Sequence, residues 1–156
     1  MKRALLLLLL PAASLFAADS WPPVPFTTVC AYSWPEGTNG GIVPGMKLAP
    51  KVINKKGTLL TADQVHRLQV AASHRQRKVD LFACYNPHNA FVFYNAAKKP
   101  VAYLELCFSC LGNRAQPRIP SISPDYLSLA AIFEELKLPM GPYTTAKAFK
   151  KARLDQ

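Results

Sequence analysis

Hydrophobic positions recur along this chain with two distinct periods, and the change of period predicts its elements. Val65, Leu68 and Ala72 recur at helical spacing behind Thr61-Ala62-Asp63-Gln64. That tetrad matches a capping box, in which the threonine hydroxyl and glutamine amide serve exposed backbone N–H groups. A helix is predicted from about Ala62 to Arg75, with His66 and His74 on it as solvated polar residues. Ser123-Pro124-Asp125 is a second helix start, with Ser123 as N-cap and Pro124 in the first turn. Tyr126, Leu129, Ala130, Phe133 and Leu136 then make an apolar stripe to about Leu138, where Pro139 stops it. A last helix starts at Thr144 or Thr145 and turns Lys147, Lys150, Lys151 and Arg153 to water.

Between these helices the period drops to two. Ala90–Asn95 and Pro100–Phe108 are rich in aromatic and β-branched residues, and Ala96-Ala97-Lys98-Lys99 reads as a four-residue hairpin loop. With Asn95 facing Pro100, Phe91 faces Leu104 and Phe93 faces Ala102. These residues and Leu106 form one apolar face, because side chains alternate along a strand. Val92, Tyr94, Tyr103 and Glu105 form the other, more polar face. A slip of one residue would expose both phenylalanines, so the register is well specified. Phe26–Trp34 and Val79–Tyr85 are further strand candidates, and Asn86-Pro87 is a turn. Glu36–Pro50, with four glycines and two prolines, reads as a loop. The predicted fold class is α+β: a small antiparallel sheet with a central β-hairpin at about 90–108, packed by two or three helices.

Residues 1–17 have a separate pattern. Lys2 and Arg3 precede an apolar run through Leu10 to about Phe16, and Leu15-Phe16-Ala17 offers a small residue for cleavage. This is the layout of a secretory signal peptide. The run is too short for a membrane span, which needs about 20 residues, and no later segment of the mature chain is long and apolar enough. The expected location is secreted or periplasmic. Residues 18–60 then form a proline- and glycine-rich N-terminal segment, and residues 61–156 the α+β core of the same single domain.

Composition changes the picture only modestly. Half of the 156 residues are hydrophobic and 18% are charged, which argues against disorder. The length excludes a multi-domain enzyme. The 156 residues less 17 leave 139, and the +10 net charge less the two of Lys2 and Arg3 leaves +8. These charges are scattered over Lys55-Lys56, Arg75–Lys78, Lys98-Lys99, Arg114/Arg118 and Lys147–Arg153. A nucleic-acid reader would cluster them on one element with interleaved aromatics. Nucleic acid is therefore not an expected partner, whereas an anionic envelope surface or polymer is.

The four cysteines, Cys30, Cys84, Cys107 and Cys110, carry the candidate chemistry. The hairpin register places His88 opposite Cys107. It also places Tyr85, with Cys84 beside it, opposite Cys110. Cys84-x3-His88 and Cys107-x2-Cys110 thus converge at the open end of one hairpin. Three thiolates and an imidazole satisfy a tetrahedral ion, and three sulfurs favour zinc or copper(I). An even cysteine count in an oxidising compartment suits two disulfides, the reading favoured over metal, Cys30–Cys84 with Cys107–Cys110 being one of three connectivities. A third reading is thiol redox catalysis by Cys107-Phe108-Ser109-Cys110, but no helix follows closely to lower the first thiol's pKa. A Cys107–His88 nucleophile pair lacks an orienting residue. The chain therefore leans away from enzymes, and no catalytic residue is assigned.

The block Cys84-Tyr85-Asn86-Pro87-His88, followed by Phe91–Tyr94 and Cys107-Phe108-Ser109-Cys110, resembles one in uncharacterised secreted or envelope proteins of bacteria. The resemblance covers about Phe82–Leu111. It implies an exported bacterial domain and no particular reaction.

Overall fold

A computed structural model describes residues 21–38, 40–43, 45–74, 85–119 and 123–155. Its strands are β1 (Thr28–Ser33), β2 (Ile42–Val43), β3 (Lys47–Leu48), β4 (Thr58–Leu59), β5 (Asn89–Tyr94), β6 (Pro100–Cys107) and β7 (Gly112–Gln116). Its helices are α1 (Ala62–Ser73), α2 (Tyr126–Glu135) and α3 (Ala146–Arg153). The main sheet has five antiparallel strands in the order β4-β1-β5-β6-β7, and β2 pairs with β3 separately. The α+β class and the helix-packed antiparallel sheet are as the sequence predicts. The leader pattern and most of the Val79–Tyr85 strand candidate lie outside the described residues.

The central hairpin has the predicted register over most of its length, with Phe91 opposite Leu104 and Phe93 opposite Ala102. At the turn it differs by one residue. Tyr94, not Asn95, faces Pro100, because a bulge intervenes between Phe93 and Tyr94. Asn95 instead organises the turn: its Oδ1 accepts from the N–H groups of Ala97 and Lys99, both at 3.0 Å. The predicted faces separate into two cores. Phe91, Phe93, Ala102, Leu104 and Leu106 pack with residues of all three helices. Phe91 meets Phe133 with ring centroids 4.7 Å apart. Trp21, in the proline-rich lead-in, stands edge-on to Phe93 and donates its Nε1–H to the Pro117 carbonyl at 2.8 Å.

The second face is less polar in its setting than expected. Val92 and Tyr103 are buried against Tyr32, Trp34, Ile42 and Ala49. The cover comes from the glycine-rich stretch predicted as a loop. It folds into the β2–β3 hairpin, Ile42 facing Leu48, and is stitched down by side chains. Trp34 Nε1–H donates to the Ala49 carbonyl at 3.2 Å. Asn54 Nδ2 donates to the Ala31 carbonyl at 2.8 Å, and Asn54 Oδ1 accepts from Ser33 N–H at 3.1 Å. Backbone groups of Ala49, Ala31 and Ser33 thus find side-chain partners between the cover and the sheet.

The helix starts are partly as predicted. Thr61 and Gln64 form the reciprocal capping box, and α1 stops at Ser73 instead of Arg75. For α2 the N-cap is Asp125, not Ser123. Its carboxylate accepts from the N–H groups of Leu127 and Ser128, so the helix begins two residues later than an N-cap at Ser123 would allow. It also ends earlier, because Lys137 adopts a left-handed φ of 56° before Pro139 is reached. Thr145 caps α3.

Candidate functional site

The predicted cysteine site sits where β6 turns into β7. Cys107 ends β6 and pairs with Gly112, the first residue of β7. Phe108, Ser109, Cys110 and Leu111 close the turn, with Leu111 at φ 51°. Cys107 and Cys110 are joined as a disulfide, with Cα atoms 5.6 Å apart. Phe108 drives the turn inward: its ring meets those of Phe149, Phe133 and Tyr126 at 5.2, 5.8 and 6.1 Å. Both sulfur-bearing residues are consequently buried, at 1% and 0% exposure.

His88 stands one residue before β5, across from Cys107 as the register demands, because Asn89 faces Leu106. Its carbonyl accepts from Trp34 N–H at 2.8 Å. The residue is 4% exposed, and Nε2 is buried without a hydrogen-bond partner. Most buried polar atoms are partnered, so this orphan nitrogen marks the site as polar and unsaturated. The Cβ position on Gly141 would lie 3.8 Å from His88 Nδ1, 3.6 Å from Ser109 Oγ and 3.4 Å from Glu36 Oε2. An imidazole, a hydroxyl and a carboxylate from three distant segments therefore surround one small space. No hydrogen bond joins them, so they form no nucleophile–base pair. Neighbouring Asn89 holds this corner together: its Nδ2 donates to Ser33 Oγ at 2.9 Å and to the Pro139 carbonyl at 2.7 Å.

The structure thus brings Cys107, Cys110 and His88 to one end of the hairpin. Cys84 lies outside the described residues. Tyr85, next to it, is described and reaches the same turn. A Cβ on Gly112 would lie 3.0 Å from Tyr85 Cδ2 and 3.5 Å from Cys110 Sγ. Among the described residues, no three of His, Cys, Asp and Glu gather as metal ligands. A disulfide also carries no thiolate charge, so Cys107 and Cys110 would ligate zinc or copper only after reduction. Cys30 is apart from this group, on β1 opposite Val92, and is not disulfide-bonded. Burial pushes its thiol up from the ordinary value, with the Tyr32 hydroxyl acting weakly in the other direction.

A second polar constellation was not legible as a site. Glu105, on the second sheet face, is 1% exposed. It accepts hydrogen bonds from Ile42 N–H and from Tyr85 Oη at 3.0 Å. Arg114 Nε lies 3.8 Å away, with the guanidinium 5.1 Å from the centre of the Tyr85 ring. Burial raises the Glu105 carboxyl above the ordinary range, and these three partners oppose that shift. A Cβ on Gly41 would run into Glu105 Oε1, so glycine there lets the β2–β3 cover approach the carboxylate. The only sequence signal was an acid on an otherwise apolar strand. Elsewhere, an open cleft of about 300 Å³ between α1 and α2 is lined by His66, Arg67, Val70, His74, Asp125 and Ser128. Its two histidines are two helical turns apart, about 12 Å, too far to share one ion.

No protein-family model, curated protein or solved structure matches this chain. No helix among the described residues is long and apolar enough to cross a membrane.

Proposed function

We propose that the protein is an exported, non-enzymatic α+β domain whose hairpin end is locked by its cysteines. The buried Cys107–Cys110 disulfide is the observation that carries this reading. Such a bond persists in an oxidising compartment and is rare where thiols are kept reduced, which agrees with the Lys2-Arg3 and apolar leader pattern. Burial also argues against redox catalysis, because thiol exchange requires an incoming thiolate to reach one sulfur in line. The motif sits in a strand-to-strand turn and lacks the helix N-terminus that would depress a catalytic thiol.

A metal-bound form is the second reading, supported by the orphan Nε2 of His88. In it, reduced Cys107 and Cys110 join His88 and Cys84 around zinc or copper(I).

Intact-mass thiol counting with elemental analysis, on protein recovered from the periplasm, separates the two. The disulfide form is two hydrogens lighter than the reduced chain and leaves Cys30 and Cys84 open to alkylation. Stoichiometric zinc or copper with Cys107 and Cys110 reduced would favour the metal form. Four free thiols without metal would overturn both. Fractionation of cells expressing the whole chain tests export: an unprocessed, cytoplasmic product would defeat it.

A further inference from the structure

Between Glu36 and Asp63 the chain carries four lysines, Lys47, Lys51, Lys55 and Lys56, and no acidic residue. This is the stretch that covers the second face of the sheet, and its packing sorts its side chains. Ile42 and Ala49 are buried against that face, with Met46, Leu48 and Val52 partly buried beside them. Asn54 is turned inward to Ala31 and Ser33. All four lysines are left exposed on the outer side. None is ion-paired among the described residues, and the adjoining Asp63 is taken by Arg67 at 2.8 Å.

Two apolar side chains share this surface. Ile53 is 50% exposed, between Lys51 and Lys55. Leu59 is 61% exposed and faces Cys30 across the β1–β4 ladder. Facing residues in a ladder point to the same side, and Cys30 packs into the second core. Leu59 therefore projects on the side that carries the lysines.

We propose that the outer surface of residues 47–59 docks on an anionic lipid bilayer. The lysines would meet the headgroup phosphates, while Ile53 and Leu59 enter the headgroup boundary. Clustered lysines gain from an anionic leaflet, and exposed apolar side chains supply the second attachment that charge alone lacks. A polyanion would answer the lysines and give Ile53 and Leu59 no partner, which favours lipid. The proposal rests on the export reading for its setting. Its test uses purified protein, so it can fail while export and the disulfide stand.

The experiment is co-sedimentation with vesicles of phosphatidylcholine containing about one quarter phosphatidylglycerol, against phosphatidylcholine alone. Binding is expected only to the anionic vesicles, and should be lost between about 0.05 and 0.5 M salt. K51E/K55E/K56E should lose binding by at least about a hundredfold, from roughly fivefold per lysine charge removed and further repulsion from the new carboxylates. K147E/K150E/K151E removes equal charge from exposed α3 positions and should lose less than about fivefold. Whatever the N terminus contributes is common to both. I53S/L59S should weaken binding several-fold with the charge unchanged. Should charge reversal unfold the chain, K51Q/K55Q/K56Q takes its place. Equal losses in the two triple variants would overturn the proposal, leaving net charge as the cause. So would equal binding to neutral vesicles, or heparin retention with no effect of I53S/L59S.

Discussion

Glu105 is a carboxylate that the fold has withdrawn almost wholly from water, and its protonation is tied to folding. Burial is the main cause of its raised pKa; hydrogen bonds from Ile42 and Tyr85 and the charge of Arg114 oppose it. Raising an acid's pKa means the folded state binds the proton more tightly than the unfolded chain. The wild-type fold therefore loses stability as pH rises from the ordinary value of 4.5 through the raised folded value. It regains that stability as pH falls. E105Q, neutral throughout, removes this dependence, and the Tyr85 hydroxyl can turn to accept from the new amide. Urea midpoints at about pH 7 and pH 4 should show wild type gaining on E105Q at the lower pH. A difference that does not change with pH would defeat this account. Tyr85 itself stays protonated, because burial and the neighbouring carboxylate push its hydroxyl well up.

At the scale of elements, the β6–β7 turn is held by a covalent bond and by a core ring, and their magnitudes differ. The disulfide spans a sequence separation of three, so it removes little unfolded-chain entropy, about 2 kcal/mol. Phe108 fills a fully packed position among three aromatic rings, and truncating such a side chain costs about 3–5 kcal/mol. F108A should therefore be more destabilising than C107S/C110S in denaturant titrations. The reverse order would mean that the bond, not the ring, organises the turn. The capping box of α1 predicts a smaller effect. T61A removes the acceptor for Gln64 N–H at 3.3 Å and should lower stability by about 1 kcal/mol. T61S, which keeps the oxygen, should recover most of it. The Arg67–Glu135 contact at 2.6 Å joins α1 to α2 and holds the Glu135 carboxyl down to about 2. Both side chains are more than a third exposed, so water screens the pair and its coupling stays below about 1 kcal/mol.

The whole molecule is a sheet with unequal covers. Helices bury one face through a core that includes Trp21, Phe91, Phe93, Phe108 and Phe133. A short strand pair and irregular chain bury the other through a smaller cluster around Trp34, Val92 and Tyr103. Fewer buried apolar contacts mean a lower free energy of local opening. Native-state hydrogen exchange should find the amides of β5 and β6 slowest and those of residues 42–57 opening at lower free energy. Identical opening energies for the two groups would show that the cover unfolds only with the sheet.

Local pattern in the sequence determined the α+β class, the hairpin register from Phe91 to Leu106, and the capping box at Thr61. It also brought His88 beside the Cys107-x2-Cys110 turn. Each follows from alternation, turn chemistry or caps, which act over a few residues. Only the tertiary structure decided what stands above the second sheet face. The Glu36–Pro50 stretch carries no strong period, and its Ile42 and Ala49, like Asn54 just beyond it, find partners on strands distant in the chain. β7 was likewise invisible, because Gly112, Asn113, Arg114 and Gln116 favour strands poorly and pair only because the Cys107–Cys110 turn delivers them to β6. The same long-range packing left Lys47, Lys51, Lys55 and Lys56 exposed while Ile42 and Ala49 among them were covered, since a side chain's exposure depends on what its neighbours cover.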